Sequence, residues 1–215
     1  MTGPMLEAPT GLHLILARHG QTPANVAHLL DTLPPGPGLT ELGQQQAVRL
    51  AERLADEKIV SVHASRAVRA QQTAQPLAQR HKLPLEVVDG THEVYVGDLE
   101  GRGDQEALQI FDAVYESWHA GRLDVPMPGG ETGREALTRF VGGARSAIDG
   151  AGDGAVALVS HGAMLRLVAS VLASNIDGAH ANARYLPNTG VIVLEADPDA
   201  RTGWRCLSWD GLDTP

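Results

Sequence analysis

The sequence predicts an α/β fold, a three-layer α/β/α sandwich with a mostly parallel central sheet and an antiparallel edge strand. Three observations predict it. Apolar runs alternate with longer segments whose apolar residues recur at helical spacing, the pattern of strands crossed over by helices. The runs are continuously aliphatic rather than alternating, as strands buried on both faces require. The last two runs are separated only by "DPDARTG", close enough for a hairpin and so for an antiparallel pair at one edge.

Each element has its own warrant. Residues 1–10, rich in Pro and Gly, read as a loose leader before a single domain over 11–215. "LHLILAR" (12–18) is a buried strand by its unbroken aliphatic run. "LPPGPG" makes 26–39 a loop, neither helix nor central strand. Thr40 caps the helix "ELGQQQAVRLAERLADEK", whose Leu, Ala and Val recur at helical spacing. "IVSVHAS" (59–65) is the next strand, followed by a helix from Ala67 to His81. "LEVVD" is a short strand, and 90–103 a glycine-bearing loop. A helix over 104–121 carries Phe111, Val114, Tyr115 and Trp118 on one side. "LDVPMPGGET" breaks it, and another helix runs from Thr132 to Ile148. The strand "AVALVSH", a helix from Ala163 to Ser174 and the strands "GVIVLEA" and "WRCLSWD" complete the chain. Residues 92–130 stand between the central strands like an insertion, a natural place for substrate selection.

Composition narrows the class. A chain of 215 residues buries one core well and is short for two domains. A net charge of −9 argues against nucleic acid or an acidic membrane as partner. It also means that an anionic substrate needs a local cationic pocket. Of 17 basic residues, Lys58 and Lys82 are the lysines and 15 are arginines, the side chain suited to bidentate oxyanion binding. Cys206 is the one cysteine, so no intrachain disulfide forms and a reducing compartment is expected. "MTGPMLEAPT" lacks a basic n-region, and no apolar run approaches the length of a membrane span. The expectation is a cytoplasmic, enzyme-sized domain with no membrane partner. A spare strand edge would permit a homodimer.

Two strands end alike. "LILARHGQTPAN" runs from apolar residues into Arg18, His19 and Gly20, and "VALVSHGAML" into His161 and Gly162. Ligands of open α/β sheets gather at the carboxyl ends of strands. A glycine there allows a tight turn or close backbone approach, and the helix N-terminus after His161 favours an anion. Arg18 adds a guanidinium beside an imidazole. A third strand ends in "ASRAVRAQQTA", with Arg66 and Arg69 in the turn that follows.

With that turn the chain resembles the histidine phosphatase superfamily, which includes the phosphoglycerate mutase-like phosphatases. "RHGQTPAN", "LTELGQQQA", "SRAVRAQQTA", "HEVYVGDLEG", "PGGET" and "VSHG" occur in the superfamily's order over residues 12–195. The resemblance implies that His19 is a nucleophile that becomes phosphorylated, and that Arg18, Arg69 and His161 hold the phosphoryl oxygens. It implies that Asn25 touches the phosphate and that Glu93 is the acid. Gly20, Gln21, Thr22, Tyr95, Arg102 and Gly162 are expected to complete substrate binding. Trp118 and Met127 also lie in the insertion, as pocket wall or as core. Two departures stand out: Ala64 replaces a common serine, though Ser65 remains, and Leu99 stands where tryptophan is frequent.

The chemistry accounts for these residue types. A histidine nucleophile divides phosphomonoester hydrolysis into two easier transfers. His19 must present a neutral nitrogen, so its other nitrogen should donate to an acceptor such as a backbone carbonyl. Arg18, Arg69 and a protonated His161 would offset the charge on the equatorial oxygens, with no metal and no other cofactor. The leaving oxygen needs a proton from Glu93 or, alternatively, His92. The expected function is metal-independent hydrolysis of a small phosphorylated metabolite.

Rival readings are a phosphoglycerate mutase, which needs further cations near the pocket, and a catalytically silent phospho-ligand-binding domain. After Glu93 the cations before "PGGET" are Arg102 and Arg122, few for a mutase. Asp197 and Asp199 suggest an aspartate-nucleophile phosphatase, but too little chain follows for its other motifs. Cys206 is followed six residues on by Leu212 rather than the arginine a cysteine phosphatase needs. The remaining histidines show no metal-ligand spacing.

Overall fold

The computed structural model describes residues 6–214. The aliphatic run His13–Arg18 forms β1, in the middle of a seven-stranded sheet. Its period of two splits its side chains between layers. Leu14 and Leu16 join one buried cluster, and Ile15 and Ala17 the other.

The helix pair α2 (Glu41–Arg53) and α3 (Val68–His81) covers the Ile15 face. Thr40 caps α2, its hydroxyl accepting from Gly43 N–H, and the preceding α1 (Pro23–Val26) is a single turn in a capping box formed by Thr22 and Asn25. The other face carries α4 (Gln105–His119), α5 (Gly133–Ile148) and α6 (Gly162–Leu172). Thr132 and Glu135 form the capping box that starts α5 where the sequence places it. The short α7 (Gly178–Ala183), capped by Asp177, was not evident in the sequence.

The remaining strands are β2 (Ile59–Ala64), β3 (Leu85–Val87), β4 (Ala155–Ser160), β5 (Val191–Ala196), β6 (Trp204–Trp209) and β7 (Leu212–Asp213). Their order is β3-β2-β4-β1-β5-β6-β7. The first four run parallel, while β5, β6 and β7 add antiparallel neighbours. The fold is thus the three-layer α/β sandwich the sequence predicts. The antiparallel edge is wider than one strand, because β7 extends the β5–β6 hairpin.

Of the expected leader, residues 1–5 lie outside the described residues. Leu6 is 2% exposed, and its carbonyl accepts from Trp204 Nε1–H at 2.6 Å. Among the described residues no helix is long and apolar enough to cross a membrane.

Candidate active site

Strand register builds the site. In the parallel ladders Arg18 pairs with Ser160 and Ala64 with Val159, so β1, β4 and β2 end at one level. His19 N–H donates to Ser160 O, and Ser65 N–H to Val159 O, both at 3.0 Å. His19, His161 and Ser65 therefore emerge side by side at the carboxyl edge, where such sheets bind ligands. The two imidazole centroids are 5.1 Å apart, with the planes inclined at 63°.

His19 is 4% exposed, and its Nδ1 lies 2.7 Å from Gly20 O. A carbonyl only accepts, so Nδ1 carries the proton and Nε2 keeps its lone pair. Burial, then Arg69, then Arg18 hold the imidazole well below its ordinary pKa, outweighing the Gly20 bond. His19 is therefore a neutral imidazole at neutral pH.

The cations around it are held by backbone and aromatic partners. Arg18 Nη1 donates to Tyr185 OH at 2.6 Å and to Leu186 O at 2.7 Å, and its Cζ stands 5.2 Å from the Tyr185 ring centroid. Arg69, 1% exposed, donates from Nη2 to Asp31 O at 3.0 Å. Its Nη1 faces the Asp31 carboxylate at 3.3 Å without an aligned hydrogen bond. His161 is fully buried, with Nε2 2.7 Å from Ser65 Oγ. Arg18 Nε, Arg69 Nη1 and His161 Nδ1 are buried nitrogens with no hydrogen-bond partner among the described residues. A buried donor left unpaired costs about 1–3 kcal/mol, so an oxygen-rich anion is the ligand these three nitrogens suit. The sequence reading expected His161 to be protonated. Burial, then Arg69, then His19 push its pKa well down, so the imidazole is neutral before an anion arrives.

Glu93 is fixed by a helix start 70 residues away in sequence. Its carboxylate accepts from Ala163 N–H at 3.1 Å, Met164 N–H at 2.8 Å and Val94 N–H at 2.9 Å. It caps α6, whose own N-cap residue, His161, makes no side-chain cap bond. His92, the alternative donor, is pushed down to about 4 by burial and then Arg139, so near neutral pH it carries no imidazolium proton to give.

A cavity of about 240 Å³ opens onto Arg18, His19, Asn25 and Glu93. Arg69 and His161 are not among its lining residues. Leu29, Asp31, Phe111, Arg166, Tyr185 and Leu186 also line it.

The other predicted residues divide clearly. Asn25 lines the cavity, and its Oδ1 accepts from Thr22 N–H and from Asn188 Nδ2. Gly162 lines it beside Arg18, where an added Cβ would stand 3.0 Å from Arg18 Nε. Gly20, Gln21 and Thr22 shape the turn instead: Gly20 N–H donates to Thr73 Oγ1, Gln21 Oε1 accepts from Thr40 Oγ1, and Thr22 caps α1. Tyr95 and Arg102 are not among the walls. Tyr95 is held through its N–H on Glu131, and Arg102 pairs with Asp104 and Glu106 at the surface. Trp118 and Met127 are core. Arg66 pairs with Asp89 on the surface.

The sequence reading missed Asp31, Arg166, Tyr185 and Asn188. Asn188 Nδ2 donates to His19 O at 3.0 Å and so helps set the backbone of His19. Only Arg166 had a readable signal, since it follows Gly162 by four residues on one helix and so shares its face.

The profile of the histidine phosphatase superfamily (branch 1) matches residues 14–210. A PE-PGRS family protein of Mycobacterium tuberculosis is 34% identical over 91% of this chain, which spans 36% of that protein's length. A probable phosphoglycerate mutase of Erwinia tasmaniensis is 32% identical over 92% of this chain and 90% of its own. In structure, a mycobacterial glucosyl-3-phosphoglycerate phosphatase solved with VO3 superposes with a TM-score of 0.71 at 27% identity, covering 92% of this chain and 98% of that one. With a match over nearly its whole length, the chain belongs to the histidine phosphatase superfamily (branch 1), whose matching members here include proteins named as phosphatases and as a phosphoglycerate mutase.

Proposed function

We propose that the protein is a phosphomonoesterase that hydrolyses a small phosphorylated metabolite through a phosphohistidine on His19, with no metal or other cofactor. One observation carries the reading. The Nδ1 contact with Gly20 O leaves Nε2 of His19 unprotonated, amid three buried nitrogens suited to an oxyanion.

In the first transfer Nε2 attacks phosphorus, and the bond from phosphorus to the leaving oxygen breaks. Arg18, Arg69 and His161 hold the equatorial oxygens, and Glu93, on the cavity wall, protonates the leaving oxygen. In the second, water attacks phosphorus, Glu93 takes a proton from it, and the P–N bond breaks to release inorganic phosphate. The cavity is smaller than the roughly 300–1,000 Å³ that encloses drug-sized ligands, which supports a small leaving group. From the 92–130 segment, Glu93, Val94 and Phe111 line it, consistent with a part in substrate selection. The single buried cysteine supports a reducing, cytoplasmic setting.

Arg166 favours the mutase as a second reading, because it puts a further cation on the cavity wall. Following inorganic phosphate and phosphoglycerate isomers in one assay separates the two. Stoichiometric phosphate release is the expected result, and isomerisation without release overturns it.

A further inference from the structure

Ser65 lies at the level of both histidines, fully buried just past the end of β2. Among the described residues its hydroxyl has two hydrogen-bond contacts: His161 Nε2 at 2.7 Å and Ala67 N–H at 3.4 Å. The amide of Ala67 can only donate, so it takes one lone pair of Oγ and offers nothing to the hydroxyl proton. If His161 donated from Nε2, the Ser65 proton would have no acceptor. The bare Nδ1 of His161 would then present a lone pair toward the oxyanion site and repel what Arg18 and Arg69 attract. If Ser65 donates to Nε2, both protons are placed: the hydroxyl proton toward Nε2, and the imidazole proton on Nδ1, the ring nitrogen without a partner among the described residues.

We propose that Ser65 is a positioning residue whose hydroxyl fixes His161 as the neutral Nδ1–H tautomer, so that Nδ1–H donates to the transferring phosphoryl group. This rests on the phosphohistidine reading for its catalytic meaning, but the tautomer itself is a property of the free protein. His161 then acts as an oriented neutral dipole, and Arg18 and Arg69 supply the charge. The two imidazoles are set by complementary partners. His19 gives its Nδ1 proton to Gly20 O and keeps Nε2 for attack, while His161 spends Nε2 on Ser65 and keeps Nδ1–H for binding.

The test is two-bond 1H–15N spectroscopy of the full chain labelled at histidine, with the His161 signals assigned by their loss in His161→Gln. The expected wild-type spectrum has a protonated Nδ1 and an unprotonated, hydrogen-bonded Nε2, and added orthovanadate shifts the Nδ1–H signal. Ser65→Ala is expected to mix the tautomers and lower kcat about 10- to 100-fold, below the larger loss that follows deleting an oxyanion donor outright. Ser65→Thr, which keeps the hydroxyl, restores the tautomer and most of the rate. A protonated Nε2 in the wild type overturns the proposal whether or not the Ser65→Ala chain folds. So does an Ala variant with both tautomer and kcat intact. If no ester is turned over and His19 takes up no phosphate, the phosphohistidine reading fails while the spectrum still decides the tautomer.

Discussion

A carboxylate oxygen of Asp31 stands 3.3 Å from Nη1 of Arg69, so an acidic group sits beside the guanidinium proposed to take an anion. Burial raises the pKa of Asp31, Arg69 pulls it back, and Glu100 adds to the rise. The backbone bond from Arg69 Nη2 to Asp31 O does not depend on the carboxylate. Asp31→Asn therefore keeps Arg69 in place and removes a competitor. Orthovanadate inhibition is predicted to tighten by 3- to 10-fold, about 1 kcal/mol and well inside the Coulomb limit at this range. Unchanged or weaker inhibition would show that the carboxylate serves only to orient Arg69.

The loop before Thr40 guards the same guanidinium. Gly36 has φ +59°, and an added Cβ would collide with Arg69 Nη1. Gly36→Ala is predicted to cost about 1 kcal/mol of stability or more through its backbone. It should also raise KM more than 10-fold as Arg69 is displaced. Thermal melts and steady-state kinetics on one preparation read both effects.

Glu93 is held by three N–H donors at the start of α6, a geometry that a glutamine cannot copy because its amide nitrogen does not accept. Glu93→Gln is predicted to lose about 10²–10⁴-fold with alkyl phosphates. The loss should be much smaller with nitrophenyl phosphate, whose leaving group needs no proton. Equal losses on both substrates would remove Glu93 as the acid.

Away from the site, His119 lies against the Tyr115 ring, and burial followed by Arg166 pushes its pKa to about 4. Its folded pKa lies below the unfolded value of about 6.5. The unfolded chain therefore binds the extra proton between those values, and stability falls as pH drops from about 6.5 to about 4. One such group contributes a slope of at most about 1.4 kcal/mol per pH unit. His119→Phe is predicted to flatten the pH dependence of urea midpoints in that window and leave midpoints above pH 7 less affected.

What the sequence made legible follows from where information is local. The His-Gly corners could be read because an aliphatic strand ending on Arg-His violates burial unless something waits at the sheet's edge. Thr40 and Thr132 marked helix starts because a cap acts within four residues. Asp31, Tyr185 and Asn188 could not be found that way. They reach the site from loops with no periodicity, and only the fold brings Asn188 to His19 O. Arg102 misled because a cation near Glu93 in sequence has its own partners, Asp104 and Glu106, closer at hand. The capping role of Glu93 was invisible for the same reason, since its partners belong to a helix 70 residues away.

Nε2 of His19 is the atom proposed to take the phosphoryl group, and trapping tests it most directly. Acid-sensitive, base-stable phosphate should be trapped on that residue when the enzyme is mixed with a turned-over ester and denatured in alkali within milliseconds, and peptide mapping should place it on His19 alone. His19→Ala should trap none and release no phosphate. Phosphate mapped to another side chain, or steady turnover by His19→Ala, would contradict the account.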